Sequence, residues 1–433
     1  MLRIAIPLAF AELGWMSMSV VDNIMVGRLP DSAVAIGSAS IGGALFYGFA
    51  IFGIGLMSGL DTLVSHAYGA GDMPKARRAL VSGLGLAVCV APILMALIFA
   101  SAPLLGWIGV LSPVREQAVG FAGVLVWSLP LLLVYTTFRR YLQGIHYVRP
   151  VTFALVSSNL VNIGGNWILI YGNLGAPAMG IRGSALATVI ARVYLAGFLL
   201  IAVKLRDPEA FYGGRPEFGQ IRRLLALGLP AALTIGFEVG VFNAATALAG
   251  KLDPISLAAH TIALNAASVT YRVPLGIASA AAVSVGRALG AGDRGHAARA
   301  GWTALGITVA FELGAAATFV FLPGEIARAY SHDAAVISFS IRLFAIAALF
   351  QVFDGLQTVA TGALRGAGNT RTAMVWNLVG YWALGLPVGY WLCFVARWGA
   401  VGLWTGLCLA LVLIGVGLVG VWRGTAHGLT KNP

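Results

Sequence analysis

Glu12, Asp22, Asp61, Arg192, Glu238, Arg272, Glu312 and Asp354 are ionisable residues set inside long apolar stretches of sequence. If those stretches cross a membrane, each charge at mid-depth costs at least about 2.5–3.5 kcal/mol and calls for a function or a partner. Glu238 lies eight residues after Pro230, and Asp354 sits between Phe350-Gln351-Val352-Phe353 and Leu356-Gln357; neither has a Lys or Arg within a helical turn. Acids in such surroundings can load and release a proton within a usable pH range. The bland alternatives are a neutral acid or a pair with Arg272. Asp22 is the counterpart nearer the N-terminus. Asn159, Asn162 and Asn166 recur at three- and four-residue spacing and so share one helical face. Their oxygens, with Asp22, suit a hydrated proton or a sodium ion, although polar residues in membranes also serve as interhelical hydrogen bonds.

The remaining charges carry weaker expectations. Glu12 and Glu312 are further candidates. Asp61 is expected to cap a helix or pair with a nearby arginine, and Arg192 and Arg272 to snorkel or to neutralise carboxylates. His66 and His260 read as polar anchors at helix ends. Aromatic residues along the same stretches, among them Phe237, Phe350 and Tyr381, add faces that attract organic cations. Glu238, Asp354, Phe237, Phe350 and Tyr381 together form the expected substrate-binding set. Interfacial belts and lipid contact explain many of the other aromatics equally well.

The elements that must position these residues follow from composition. Hydrophobic residues make up 59% of the chain and charged ones 10%, against about 25% charged in a soluble domain. Lipid is therefore the solvent for most of the outside. A helical span needs roughly 20 apolar residues, and the alternating pattern of a membrane barrel is absent. Polar knots divide the chain into about twelve spans, near 2–27, 34–66, 79–102, 117–141, 147–171, 179–204, 221–249, 255–288, 298–322, 336–364, 372–395 and 398–422.

The net charge of +12 is a topology signal, and no nucleic-acid partner is expected. Lys and Arg gather at alternate connections, at Lys75 to Arg78, Arg139 to Arg149, Lys204 to Arg223, Arg287 to Arg299 and Arg365 to Arg371. That asymmetry places both termini in the cytoplasm of a multi-pass protein of the cell (inner) membrane. Cys89, Cys393 and Cys408 have no paired spacing and read as buried thiols. The first apolar stretch is too long for a cleavable signal and carries Glu12 and Asp22; the chain starts almost at that span, leaving room for a few further N-terminal residues.

The chain repeats itself. Pro7, Gly27 and Leu29 recur at one constant offset as Pro230, Gly250 and Leu252, and Gly69-Ala70-Gly71-Asp72 recurs as Gly290-Ala291-Gly292-Asp293. Leu142, Gly144 and Arg149 recur as Leu364, Gly366 and Arg371. The expected fold is an all-α polytopic membrane protein. Its two homologous six-helix bundles, 1–204 and 221–433 joined by a charged linker at 205–220, are related by a pseudo-two-fold axis along the membrane normal. Such repeats suit a carrier, expected as a monomer, whose halves rock about a central cavity. No phosphate-cradling loop, Ser/His/Asp order or zinc-ligand pair is present, so neither ATP nor enzymatic catalysis is expected, and no cofactor.

Val21-Asp22-Asn23-Ile24-Met25-Val26-Gly27 resembles the first-span signature of multidrug and toxic compound extrusion (MATE) transporters. Ala259 to Asn265, Val285 to Asp293, and Phe353-Asp354-Gly355-Leu356-Gln357 with Gly362 to Gly366 are similar to further motifs of that family, so that the resemblance runs along the whole chain. His66 and Thr261 stand where the family commonly has Gln. The resemblance implies export of lipophilic, mainly cationic compounds by proton or sodium antiport. Glu238 and Asp354 match the family's second-lobe acids; Asp22, with Asn162 and Asn159 or Asn166, matches its first-lobe site. The coupling ion stays open, with sodium at either acidic site as one option and no firm metal site. A lipid-linked or polysaccharide flippase of similar architecture is the alternative, and would favour a more basic cavity.

Overall fold

The computed structural model describes residues 1–107, 111–212 and 214–431. Gly213, within the expected linker, and Asn432 and Pro433, at the end of the expected second lobe, lie outside the described residues. The described chain is helical, with 12 helices long and apolar enough to cross a membrane. They are α1 (Leu2–Val26), α2 (Ser32–Gly69), α3 (Met73–Trp107), α4 (Ser112–Gly144), α5 (Arg149–Tyr171), α6 (Ile181–Arg206), α7 (Phe218–Ala249), α8 (Pro254–Gly290), α9 (Arg294–Phe321), α10 (Ala334–Gly366), α11 (Thr370–Val395) and α12 (Ala400–Lys431). Each overlaps one expected span. Large apolar side chains such as Val88, Ile93, Leu160, Leu349 and Val416 point outward. A helix that satisfies its own backbone can present such a surface only to lipid.

The repeat is visible at atomic scale. Gly71 and Gly292 both adopt positive φ, 74° and 77°, a conformation open to glycine at little cost. The aspartate that follows each one caps the next helix. Asp72 accepts from the Lys75 backbone N–H at 2.9 Å, and Asp293 from that of His296 at 2.8 Å. Irregular turns interrupt several spans. Between Met57 and Leu60, α2 is broken at Ser58 and Gly59, and α11 passes through π-helical turns at Leu378–Gly385 and Trp391–Val395. Pro387, between those turns, cannot donate the regular helical bond.

Two compact units divide the chain: Phe10–Ala232, and Met1–Ala9 with Leu233–Pro433. The division cuts through α1 and α7 rather than through the 205–220 linker. Small residues account for it. A Cβ at Gly276 of α8 would lie 2.5 Å from the Ala9 nitrogen, and one at Gly55 of α2 would lie 2.5 Å from Ala232 Cα. The start of α1 therefore packs with the second half of the chain, and the start of α7 with the first.

Arg139 and Arg140, counted above among the loop charges, are instead part of α4 and buried. Arg139 pairs with Glu12, and Arg140 Nη1 with Asp61 Oδ2 at 3.0 Å. Removing one partner from such a buried pair leaves an uncompensated charge, which costs about 3–5 kcal/mol.

Candidate functional site

In the unit containing Leu233–Pro433, α7 and α10 carry the two expected acids. Glu238 Oε1 accepts a hydrogen bond of 2.6 Å from the Tyr271 hydroxyl on α8. Asp354 is 7% exposed and accepts from Gln357 Nε2 at 3.3 Å, one turn along α10; the same Gln357 side chain also interacts with Glu238. Among the described residues neither acid forms an ion pair, and the alternative of a pair with Arg272 is not what the geometry contains.

An aromatic group adjoins these acids. Phe242 makes edge contacts to Phe350 at 5.9 Å and to Tyr381 at 6.0 Å, and Phe350 packs on Trp404 at 5.4 Å. Tyr381 is fully buried with its hydroxyl unpartnered. Phe237 is half-buried, and its carbonyl accepts from Trp382 Nε1 at 3.1 Å. His260 is fully buried rather than anchored at a helix end. Its Nδ1 accepts from Trp404 Nε1 at 3.1 Å, which leaves Nε2–H to donate to Thr246 Oγ1 at 2.9 Å. The imidazole thus holds the aromatic group in register.

The other unit gathers polar groups around Asp22 on α1. Asn166 Nδ2 on α5 donates to Asp22 Oδ1 at 2.6 Å, and Thr188 Oγ1 on α6 lies 3.3 Å from Oδ2. Asn166 also donates to Asn162 Oδ1 at 3.2 Å. Asn159 is engaged elsewhere: it donates to Gly14 O at 2.9 Å and accepts from the Ser17 hydroxyl at 2.9 Å. Arg192, one turn beyond Thr188, is 1% exposed and does not snorkel. It donates to Ser128 Oγ and to Tyr47 Oη (3.0 Å), with its guanidinium 4.7 Å from the Phe46 ring centre.

The oxygens that could receive a cation here are those of Asp22, Asn162 and Asn166, while amide and hydroxyl donors face both Asp22 oxygens. Among the described residues no cluster of three or more His, Cys, Asp or Glu could hold a metal ion. Tyr271 and Thr188 were not singled out from sequence. Each is an ordinary residue of an apolar helix, and only the neighbouring helix makes it a donor to a carboxylate.

A family model described as MatE matches residues 7–168 and, a second time, residues 230–391. The chain belongs to the MatE family. Each match opens on one of the repeated prolines, Pro7 and Pro230. Among MatE relatives, the multidrug resistance protein NorM of Burkholderia vietnamiensis is 38% identical over 432 residues, 97% of this chain and 92% of that protein. A probable multidrug resistance protein NorM of Mesorhizobium japonicum is 36% identical over 439 residues, again 97% and 92% of the two chains. Among solved MatE folds, the crystal structure of the eukaryotic MATE transporter AtDTX14 superposes with a TM-score of 0.89, at 23% identity and over 99% of this chain and 97% of that one.

Proposed function

We propose that this chain is a secondary active multidrug exporter of the cell membrane, moving lipophilic, mainly cationic organic compounds outward in exchange for inward protons or sodium ions. The observation that carries the reading is the pair Glu238 and Asp354, without ion-pair partners among the described residues, beside the aromatic group of Phe242, Phe350 and Tyr381. Carboxylates neutralise the charge of an organic cation, and ring faces add cation–π attraction without demanding one shape. Membership of a family whose relatives are named multidrug resistance proteins supports the same substrate class.

In the mechanism, the inward cation and the drug compete for the same acids. A proton on Asp354 or Glu238 removes the negative charge that holds the drug outside, and the reloaded carrier returns inward. One full charge crossing the field contributes about 2.3 kcal/mol per 100 mV. Asp22, Asn162 and Asn166 form a second polar station in the other unit, with Asn159 as a helix tie beside it. The carrier acts as a monomer with both termini in the cytoplasm. A flippase would need a basic cavity for its anionic cargo, and the acidic, aromatic site argues against it.

The test is ethidium efflux from proteoliposomes with proton and sodium gradients imposed separately, for wild type, Glu238→Gln and Asp354→Asn. Gradient-driven efflux lost in either variant supports the reading and identifies the ion. Equal efflux in all three removes the role given to these acids.

A further inference from the structure

Glu312 is an intramembrane acid to which the exchange described above assigns nothing and which, unlike Glu12 and Asp61, forms no ion pair among the described residues. It lies on α9, 0% exposed, with neither carboxyl oxygen hydrogen-bonded. It also lies directly against the site. A Cβ at Gly355 would come within 2.7 Å of Glu312 Cγ and 3.1 Å of its Oε1, and Gly355 follows Asp354. Only a residue without a side chain lets α10 approach Glu312 this closely one position from Asp354. Gln351, one turn earlier on α10, interacts with Glu312, but its Nε2 closes no hydrogen bond and its Oε1 is taken by the Thr270 hydroxyl at 2.8 Å.

The surroundings narrow what such an acid can do. Of the elements packed on α9, α10 contributes Asp354, whose charge interacts with that of Glu312. From α8 come Tyr271, whose hydroxyl is turned to Glu238, and Arg272, which forms no ion pair with Glu312. The short helix Pro323–Tyr330 carries Glu325 and Arg328, which pair with each other. Before Arg423, α12 brings only the buried thiol of Cys408. A structural anchor would have partners, and a cation ligand would have converging oxygens. Beyond the interaction with Gln351, Glu312 has neither among the described residues; what remains is an acid set beside another acid that must exchange a proton.

We propose that Glu312 is the proton donor that protonates Asp354 as the substrate leaves. The Glu312 O–H bond breaks and an O–H bond forms on an Asp354 oxygen; the Glu312 carboxylate then takes a proton from the external solution. The inference rests on Asp354 being a coupling residue, and it adds the group through which that residue is protonated.

The experiment compares wild type, Glu312→Gln, Glu312→Asp, Gly355→Ala and Asp354→Asn in proteoliposomes under an imposed proton gradient, with equilibrium ethidium binding measured in parallel. Glu312→Gln should bind ethidium within about twofold of wild type, yet export it at least about tenfold more slowly, the scale of a lost proton-transfer group. Its rate should also lose the pH dependence of the wild type. Glu312→Asp should restore part of the rate, and Gly355→Ala, which displaces the carboxyl, should lower it. The proposal is overturned if Glu312→Gln matches wild type in rate and pH profile while Asp354→Asn is inactive. Loss of ethidium binding together with export in Glu312→Gln, unrelieved by aspartate, also overturns it in favour of a packing role. Should Glu312→Gln fail to insert, Glu312→Asp and Gly355→Ala decide: wild-type rates and pH profiles in both refute the relay. Full activity of Asp354→Asn would instead sink the underlying coupling reading.

Discussion

The hydroxyl of Tyr271, on α8, donates to Glu238 Oε1, on α7, across 2.6 Å. This bond ties the acid of one helix to a neighbouring helix through a group that cannot itself supply the missing positive charge. A hydrogen bond to a charged acceptor is worth roughly 1.5–3 kcal/mol, enough to set which species Glu238 holds at each stage of exchange. Tyr271→Phe keeps the ring and removes only the donor. The expected outcome is normal insertion with gradient-driven ethidium efflux reduced about tenfold, and with a changed dependence of rate on the pH of the driving side. Unchanged rate and profile would show that Glu238 acts without this bond.

Around Asp22, Asn166 and Asn159 separate by what they touch. Asn166 bonds Asp22 itself, whereas Asn159 ties α5 to Gly14 and Ser17 of α1. Asn166→Ala is expected to lower efflux severalfold, because Asp22 Oδ1 loses its donor while Oδ2 keeps Thr188, and a hydrogen bond to a charged group is worth about 1.5–3 kcal/mol. Asn159→Ala should lower the melting temperature of the detergent-solubilised protein while the gradient dependence of efflux stays as in wild type. If the two variants exchange behaviours, the assignment of Asn166 rather than Asn159 to the polar station is wrong.

Packing of α10 on α8 rests on Gly362 and Gly366, spaced by four residues. A Cβ would lie 2.4 Å from Ala278 O at the first and 2.4 Å from Ala282 O at the second. Such small-residue spacing lets two backbones meet in lipid. Alanine ordinarily favours a helix interior over glycine by about 1 kcal/mol, but overpacking costs about 1–3 kcal/mol, and contact with backbone atoms places these sites at the upper end. Gly362→Ala and Gly366→Ala should therefore each melt lower than wild type in detergent. A rise in melting temperature would mean that the helices part without penalty.

How much of this was legible beforehand depends on the range of the interaction. The spans could be read because crossing lipid demands an uninterrupted apolar length, and Glu238, Asp354 and Asp22 stood out because a charge in such a length needs a reason. The repeat was legible from Pro7 with Pro230 and Gly71 with Gly292, since a cap or a left-handed turn needs particular residues locally. Partnerships across helices were not. Nothing near Glu12 points to Arg139, and nothing near Tyr271 points to Glu238, because which faces meet is decided by packing. Arg139 and Arg140 read as loop charges for the same reason: their distance from the next polar knot is short, and the ion pairs with Glu12 and Asp61 that hold them in the helix core lie across helices. The division of units at Ala9 and Ala232 likewise depends on what Gly276 and Gly55 touch, which no local pattern reveals.

Asp207, just beyond α6, gives a stability change whose direction with pH is fixed. Burial by itself would push its carboxyl up. It is outweighed by hydrogen bonds from Arg77, at 2.6 and 3.0 Å, and from the Tyr141 hydroxyl at 2.6 Å, together with the Arg77 charge, so that the carboxyl is held below its ordinary range. In the unfolded chain an aspartate titrates near about 3.9. A group whose folded value is depressed adds stability that is complete above the unfolded value and is lost as the pH falls through the folded one. Asp207→Asn should therefore melt below wild type at neutral pH, and the gap should stay constant down to about pH 5 and then shrink as the pH falls below about 4. Thermal unfolding of the detergent-solubilised proteins across that range measures it. A gap that widens toward acid would mean that Asp207 is not the ionised partner of Arg77 and Tyr141 in the folded protein.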